Sequence, residues 1–257
     1  MSDHPSREER KEDHLQDQKE QAAKAAPLLA RGGFEAMQRL PARMGALARM
    51  EAFLARSWDL RHECPALMIQ FAVAATWSAR QLSPRRYGVK RLFDFQCRAH
   101  AELGNAYRVA DQLPRAAAEL GHARQLFEQG TGDPVLEIRL IELEATLAAD
   151  RRQFGLACNN LDMVLAFYRR AEDRQRTGRT LIKQGLYTGY AGDPEEGFRI
   201  LGEGLALVDE ERDQGLVYAA LHNQLLFLID CGRFDDARKF RVRHSRDLAD
   251  HRGRVNE

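Results

Sequence analysis

The chain has 257 residues, of which 44% are hydrophobic and 30% are charged, and its formal net charge is +1. This composition is typical of an ordered, soluble protein, and the longest apolar run, from Leu67 to Trp77, is too short to span a membrane. The balanced charge argues against a dedicated nucleic-acid binder, since such proteins carry a strong basic excess.

Residues 1–33 are predicted to form a charged N-terminal tail. The segment from Met1 to Ala26 is dense in Glu, Asp, Lys and Arg, and Leu15 is its only large apolar residue after Met1. Because a helix without an apolar stripe has no surface for docking, we expect this segment to be disordered, to form a solvated helix, or to be ordered by a partner. It also lacks the apolar region of a signal peptide.

Residues 34–248 are predicted to form a helical repeat domain, and residues 249–257 a polar C-terminal tail. Apolar residues recur at three- and four-residue steps, and no stretch of useful length alternates as a strand does. The predicted helices cover residues 34–54, 65–82, 84–110, 114–128, 133–149, 154–171, 174–191, 194–208, 213–230 and 234–248. The sequence therefore predicts an all-α fold.

Helix starts and ends carry local signals. A capping residue followed by proline opens three predicted helices, because proline is tolerated in the first turn, where its missing N–H has no partner. These pairs are Ser83-Pro84, Asp133-Pro134 and Asp193-Pro194. Glycines that fit helix ends are Gly130, Gly132, Gly192 and Gly232.

The second helix of each predicted pair carries a small residue at an equivalent position. The series is Ala66, Ala116, Ala157, Gly197 and Ala237, and the differences between these residue numbers are 50, 41, 40 and 40. Seven residues later come Val73, Ala123, Val164, Gly204 and His244. Two antiparallel helices approach closely only where one face carries small side chains, so the series predicts tightly packed pairs in a repeat of about 40 residues.

The best-preserved copy resembles the tetratricopeptide repeat. Its matching residues are Leu103, Gly104, Tyr107, Ala116, Leu120 and Ala123. The spacing near 40, rather than ~34, and the stretches GNAYRVADQL and HNQLLFLIDCGRFDDA are similar to a long-repeat group of bacterial tetratricopeptide proteins. Over residues 45–248 this resemblance implies a right-handed α-solenoid of four to five antiparallel helix pairs.

In such solenoids the first helix of each pair lines a concave groove that takes an extended peptide or a partner helix. Seven candidate partner-binding residues project there: Arg98, Asn105, Arg108, Arg179, Lys183, His222 and Asn223. Asn105 is the strongest, because an amide in a helix interior can hold the backbone of a bound peptide. The alternative is that Asn105 and Asn223 bond locally between helices. Arg108, Arg179 and Lys183 are candidates for a carboxylate clamp, or else belong to a solvated charged face.

One turn is strongly basic. It contains Arg80, Arg85, Arg86, Lys90 and Arg91, with Tyr87 among them. Solvation of the turn is the favoured interpretation. The alternative is attraction of phosphate groups, although the segment carries no motif for reading bases.

We predict no catalytic site, no metal site and no cofactor. The GEG stretch from Gly202 to Gly204 falls inside a predicted helix rather than after a strand, so it fails as a phosphate-binding loop. The four cysteines form no CxxC pair, which argues against structural zinc and a disulfide framework and favours a reducing, cytoplasmic compartment.

These features favour a non-enzymatic scaffold that binds a peptide or protein partner in the groove. Two alternatives stay open. One is a regulatory or sensor module that works with a transcriptional or signalling partner, and the other is a self-associating structural protein that forms homo-oligomers. The resemblance does not choose among them, because repeats of this class serve many functions.

Overall fold

The computed structural model describes residues 7–32, 35–37, 40–41 and 43–245. Within these residues every regular element is helical, which confirms the predicted all-α fold. The helices are α1 (Arg7–Gly32), α2 (Ala46–Asp59), α3 (Pro65–Arg80), α4 (Pro84–Tyr87), α5 (Val89–Val109), α6 (Leu113–Gln129), α7 (Pro134–Asp150), α8 (Phe154–Arg170), α9 (Arg174–Tyr190), α10 (Pro194–Leu205), α11 (Gln214–Asp230) and α12 (Phe234–Arg243). A 3-10 turn, Leu60–His62, follows α2.

Consecutive helices pack as antiparallel pairs, most extensively α2 with α3, α5 with α6, and α9 with α10. This is the α-solenoid class that the sequence predicts. The chain divides into two compact units, residues 1–143 and 144–257, and the division falls inside α7. The predicted limits of the repeat domain, at residues 34 and 248, stay predictions, and the predicted tail at 249–257 lies outside the described residues.

The core of the first unit is built from α1, α2, α3 and α5. Its largest fully buried side chains are Leu29, Met50, Met68 and Phe71. Phe53 packs against Phe71, with 6.1 Å between the ring centroids. Each such side chain contributes about 1.5–3 kcal/mol by leaving water, so this cluster holds the four helices together.

Helix α1 packs against α2, contrary to the expectation for this segment. Ala22, Ala25 and Leu29 lie at steps of three and four residues, and all three are buried. The side-chain oxygen of Gln18, a residue that is 4% exposed, accepts a hydrogen bond from the backbone N–H of Ala48 at 3.3 Å. The prediction that this segment has no surface for docking is therefore wrong. The stripe exists, but alanine supplies two of its three members, and a search for large apolar side chains passes over it.

Most predicted helices differ from the structure by a few residues at an end, and two differ by more than that. The helix predicted over residues 34–54 begins only at Ala46, with Gly45 as its N-cap. The helix predicted over 84–110 is interrupted at Gly88, whose φ of 82° ends α4 after one turn. A φ in this range is strained for residues with a Cβ, so Gly88 permits the break between α4 and α5.

The three predicted capping residues differ in whether their side chains accept a hydrogen bond from the first turn of the helix. Asp193 accepts a hydrogen bond from the backbone N–H of Glu196 at 3.1 Å, and Asp133 accepts one from the backbone N–H of Val135 at 2.9 Å. Ser83 makes no side-chain hydrogen bond to the start of α4. Two of the three predicted caps are therefore confirmed.

The small-residue series is buried in four of its five copies. The buried members are Ala116, Ala157, Gly197 and Ala237. Ala66 is exposed and Val73 is 44% exposed, so the register predicted for the first copy is wrong. The buried face of α3 runs instead through Met68, Ala72 and Ala75.

Glycines bring α9 and α10 into backbone contact. A Cβ at Gly185 would lie 2.8 Å from the backbone nitrogen of Leu201, and one at Gly197 would lie 2.8 Å from the carbonyl oxygen of Gly185. At a second crossing, a Cβ at Gly178 would lie 2.8 Å from the carbonyl oxygen of Gly204. Because the obstructing atoms are backbone atoms that no rotamer change can move, these positions require glycine.

Five turns between helices share one backbone conformation. The residue after the helix has a positive φ, and the next N–H bonds back to a carbonyl in the last turn, which is the Schellman motif. The residues with positive φ are Asp111 (57°), Arg152 (60°), Glu172 (54°), Gly192 (110°) and Gly232 (71°). In the third turn the backbone N–H of Asp173 donates to the carbonyl of Tyr168 at 3.0 Å. The predicted glycines mark two of these turns, and in the other three a residue with a Cβ takes the same strained conformation.

Replacing Glu172 by glycine is expected to stabilise the protein. The left-handed conformation costs an L-residue about 1–2 kcal/mol, and the added flexibility of glycine in the unfolded chain offsets about 0.5–1 kcal/mol of that gain. We therefore expect Glu172→Gly to raise the free energy of unfolding by about 0.5–1 kcal/mol in urea titrations followed by circular dichroism. Glu172→Ala is the control, because it removes the side chain but keeps the strain; an equal gain from alanine would contradict this explanation.

Replacing Gly185 by alanine is expected to destabilise the second unit, because the new Cβ would force α9 and α10 apart. Overpacking of this kind costs about 1–3 kcal/mol. The matched control is Gly155→Ala in α8, where an added Cβ meets nothing within 4 Å. Alanine is the better helix former, so the control is expected to gain about 0.5–1 kcal/mol. Changes of the same sign in the two thermal unfolding midpoints would count against backbone contact between α9 and α10.

Candidate partner-binding surface

The helices that open each pair are α2, α5, α7, α9 and α11, and we call their exposed side chains, taken in each unit separately, the first-helix face. In the first unit its cations lie against acids of the neighbouring first helix. Nη1 of Arg98 on α5 lies 2.7 Å from Oε1 of Glu51 on α2, and the Arg98 side chain is 45% exposed. An exposed pair of this kind contributes at most about 1 kcal/mol, so Arg98 keeps the freedom to contact a partner.

Arg139 on α7 makes a stronger set of contacts. Its Nε and Nη2 donate to the two carboxylate oxygens of Glu102 at 2.8 and 3.0 Å, and its Nη1 donates to Glu142 at 3.1 Å. Burial alone would lower the pKa of Arg139, but the charge of Glu102, followed by that of Glu142, raises the pKa above its ordinary value. The guanidinium is therefore permanently charged and fixed between two carboxylates.

Trp58 at the end of α2 lies beside this cluster. The guanidinium of Arg61 is 4.4 Å from the centroid of the Trp58 ring, and that of Arg139 is 5.5 Å from it. The side chains of α2, α5 and α7 thus converge on one region of the first unit. Trp58 is 40% exposed there, so part of this aromatic side chain is accessible beside two guanidinium groups.

Asn105 is only 3% exposed. Its side-chain oxygen accepts hydrogen bonds from Nε and Nη2 of Arg108, at 3.2 and 3.1 Å, one turn along the same helix. Asn105 and Arg108 are therefore brought together within α5, by a contact inside one helix rather than the bond between helices that the alternative for Asn105 describes. Their contact with a bound peptide stays a prediction.

In the second unit, Arg179 on α9 lies near the start of α11. Its Nε is 3.5 Å from Oδ2 of Asp213, and the Arg179 side chain is 47% exposed. The same carboxylate oxygen accepts a hydrogen bond from the amide of Gln175, whose own oxygen accepts the backbone N–H of Asp209 at 2.8 Å. Asp213, the N-cap residue of α11, is thus held by two residues of α9.

The other candidates of the second unit differ in their exposure. Lys183 is half-buried, and His222 is exposed and stacked on Tyr218 with 12° between the rings. Asn223 is 8% exposed, donates to the carbonyl of Ala219 at 2.8 Å and accepts the hydroxyl of Tyr190 at 2.6 Å. Burial raises the pKa of the Tyr190 phenol, so Tyr190 keeps its proton and donates this hydrogen bond at neutral pH.

The seven predicted residues therefore divide between the units. Arg98, Asn105 and Arg108 lie in the first, and Arg179, Lys183, His222 and Asn223 lie in the second. Sequence reasoning missed Trp58 and the acids Glu51 and Asp213, which pair with predicted cations. The available signal was the placement of acids and bases on successive first helices, roughly one repeat apart.

Among the described residues, no three His, Cys, Asp or Glu side chains are grouped so as to hold a metal ion, and none of the four cysteines forms a disulfide. In the same part of the chain, no helix has the length and apolar character needed to cross a membrane.

Comparison with known proteins shows a shared fold and no shared family. Neither a protein-family model nor a curated protein matches the chain. Among solved structures, BtubC (BKLC) from P. vanneervenii is similar, with 18% identity and a TM-score of 0.65 over 92% of each chain.

Two further structures are similar at a TM-score of 0.60. Aspartyl phosphate phosphatase F from Bacillus subtilis is 16% identical, and the match covers 83% of this chain and 53% of that one. The apo form of RapI is 10% identical, and the match covers 96% of this chain and 67% of that one. These neighbours are helical-repeat proteins, so the likeness places this chain in a helical-repeat fold.

The cluster around Arg139 is expected to matter more for stability than the exposed pair around Arg98. Glu102→Gln removes the carboxylate that accepts hydrogen bonds from Nε and Nη2 of Arg139. We therefore expect a loss of about 1–3 kcal/mol in the free energy of unfolding. Glu51→Gln is the matched control, with an expected loss below about 1 kcal/mol. Both values come from urea titrations. Equal losses for the two substitutions would show that the Arg139 cluster contributes no more to stability than the exposed pair of Arg98 and Glu51.

Proposed function

We propose that this protein is a non-enzymatic interaction scaffold that holds a peptide or a helix of a protein partner on the first-helix face. The observation that carries the proposal is the exposure of Trp58, which is 40% exposed although the guanidinium groups of Arg61 and Arg139 lie 4.4 and 5.5 Å from the centroid of its ring. Tryptophan and arginine are the residue types most enriched among the side chains that dominate binding energy in protein interfaces.

The charges around Trp58 indicate how such a partner would be held. Arg98 and Arg139 already face Glu51 and Glu102, so a partner gains little from charge alone. Apolar contact with the ring would supply most of the affinity, while the fixed charges would select the partner's orientation. This proposal includes the predicted partner contacts of Arg98 in the first unit. It also includes those of the candidates on α9 and α11, which are Arg179, Lys183, His222 and Asn223.

The second candidate is a regulatory module that works with a signalling partner. It is favoured by the fold shared with aspartyl phosphate phosphatase F, whose name gives that protein an activity on a phosphorylated aspartyl group. Under this candidate, the partner on the first-helix face would be a protein that carries such a group. Fold likeness alone supports it, whereas the scaffold proposal also has a defined surface.

The experiment is quantitative affinity capture from a lysate of the source organism, with the full chain as bait. An interface tryptophan contributes about 2 kcal/mol or more, so Trp58→Ala is expected to lower the captured amount of a specific partner by about 30-fold. Met163→Ala is the control, because Met163 is 54% exposed on α8, outside the first-helix face. Lys183→Ala tests the second unit separately.

The outcomes distinguish the proposals. A partner lost with Trp58→Ala and kept with Met163→Ala supports the scaffold, provided that circular dichroism shows equal thermal unfolding of both variants. A partner set that is the same for Trp58→Ala and the unsubstituted chain would overturn the assignment of this surface. A phosphorylated aspartyl group on a Trp58-dependent partner would favour the regulatory candidate.

A further inference from the structure

The end of α3, helix α4 and the start of α5 form an exposed corner of the first unit. Trp77 is 62% exposed and Val89 is 58% exposed, the larger values among the apolar side chains of these helices. Five exposed cations accompany them: Arg80, Arg85, Arg86, Lys90 and Arg91. We call these seven side chains the basic corner.

Positive charge is concentrated at this corner. Residues 64–93 contain the five cations and no Asp or Glu. Subtracting these five from the 39 Lys and Arg of the whole chain leaves 34 against 38 Asp and Glu, so the rest of the chain has a net charge of −4. The overall charge of +1 therefore conceals an uneven distribution.

The contacts made by these cations leave their charge available. Nη2 of Arg86 lies 3.0 Å from Nδ1 of His14 on α1. Burial and the charge of Arg86 lower the pKa of His14, so the imidazole is neutral at neutral pH and adds no charge of its own. Among the described residues, none of the five cations forms an ion pair with a carboxylate.

An apolar anchor lies within the basic corner. Val73, Trp77 and Arg80 follow one another at steps of four and three residues, so they share one face of α3. This face points away from the core, since Val73 is 44% exposed and Trp77 is 62% exposed. A ligand on this face of α3 would meet the indole ring of Trp77 and the guanidinium group of Arg80 together, a combination found at the centre of many protein interfaces.

We propose that the basic corner is a second docking surface, and that its occupant is a short acidic segment of a protein partner that places an apolar side chain against Trp77. Carboxylates suit the corner because arginine binds them through two parallel hydrogen bonds. An extended polyanion or an anionic membrane would also meet the net-negative remainder of the chain. A short segment would meet only the corner, because salt screens charges beyond about 8 Å at physiological ionic strength.

The test measures fluorescence anisotropy of a labelled peptide of alternating glutamate and leucine added to the full chain. A peptide with lysine in place of glutamate is the matched control ligand. Arg85→Glu combined with Arg91→Glu is expected to weaken binding of the glutamate peptide at least tenfold, and Trp77→Ala several-fold. Both arginines are exposed, so the charge reversal leaves the core intact.

Trp58→Ala separates this inference from the scaffold proposal. It is expected to leave peptide binding unchanged, because Trp58 lies on the first-helix face. If Trp58→Ala weakens binding and the corner variants do not, the peptide occupies the first-helix face and the inference is overturned while the scaffold proposal stands. Tighter binding of single-stranded DNA or of phosphatidylserine vesicles than of the glutamate peptide would also overturn it, as would equal binding of the lysine peptide.

Discussion

Backbone contact between paired helices is the constraint on which the rest of this structure depends. At Gly185 and Gly197 the two chains approach so closely that an added Cβ would meet backbone atoms. In the first unit α5 and α6 also approach closely, since a Cβ on Gly104 would lie 3.2 Å from the carbonyl oxygen of Ala116 and 2.9 Å from the side chain of Leu120. Such contact fixes both the spacing and the rotation of the helices, since small residues occupy one defined stripe of each. In each pair, the helix faces that do not carry this stripe are therefore left for contact with other helices or with solvent.

This packing explains why the cations of the first-helix face and those of the basic corner have different surroundings. On the first helices, long side chains from neighbouring pairs come within reach of one another, and Arg139 is fixed by Glu102 and Glu142. At the corner between α3 and α5, the chain passes through the single turn of α4, and among the described residues no carboxylate forms an ion pair with the cations there. The cations Arg98 and Arg139 of the first-helix face are thus paired with acids, whereas the cations of the basic corner, in the part of the chain that the structure describes, are not.

The sequence predicted the helices and most of the close-packed stripe, because both depend on patterns within a few tens of residues. It failed at Ala66, since α3 holds several alanines and the pattern alone does not choose among them. It also failed for α1, whose buried stripe is largely alanine. Glu51, the acidic partner of Arg98, escaped prediction for another reason: the two residues are 47 positions apart, and only packing brings them together.

The shared Schellman turns have a consequence for how the chain folds. Each turn is closed by backbone hydrogen bonds between residues a few positions apart, even where Glu172 replaces glycine. The contacts that close each pair at its turn are therefore local in sequence, and proteins rich in local contacts fold quickly. In such arrays folding can nucleate in one pair and propagate to its neighbours. During synthesis, an early pair can close on the ribosome while later pairs are still being translated.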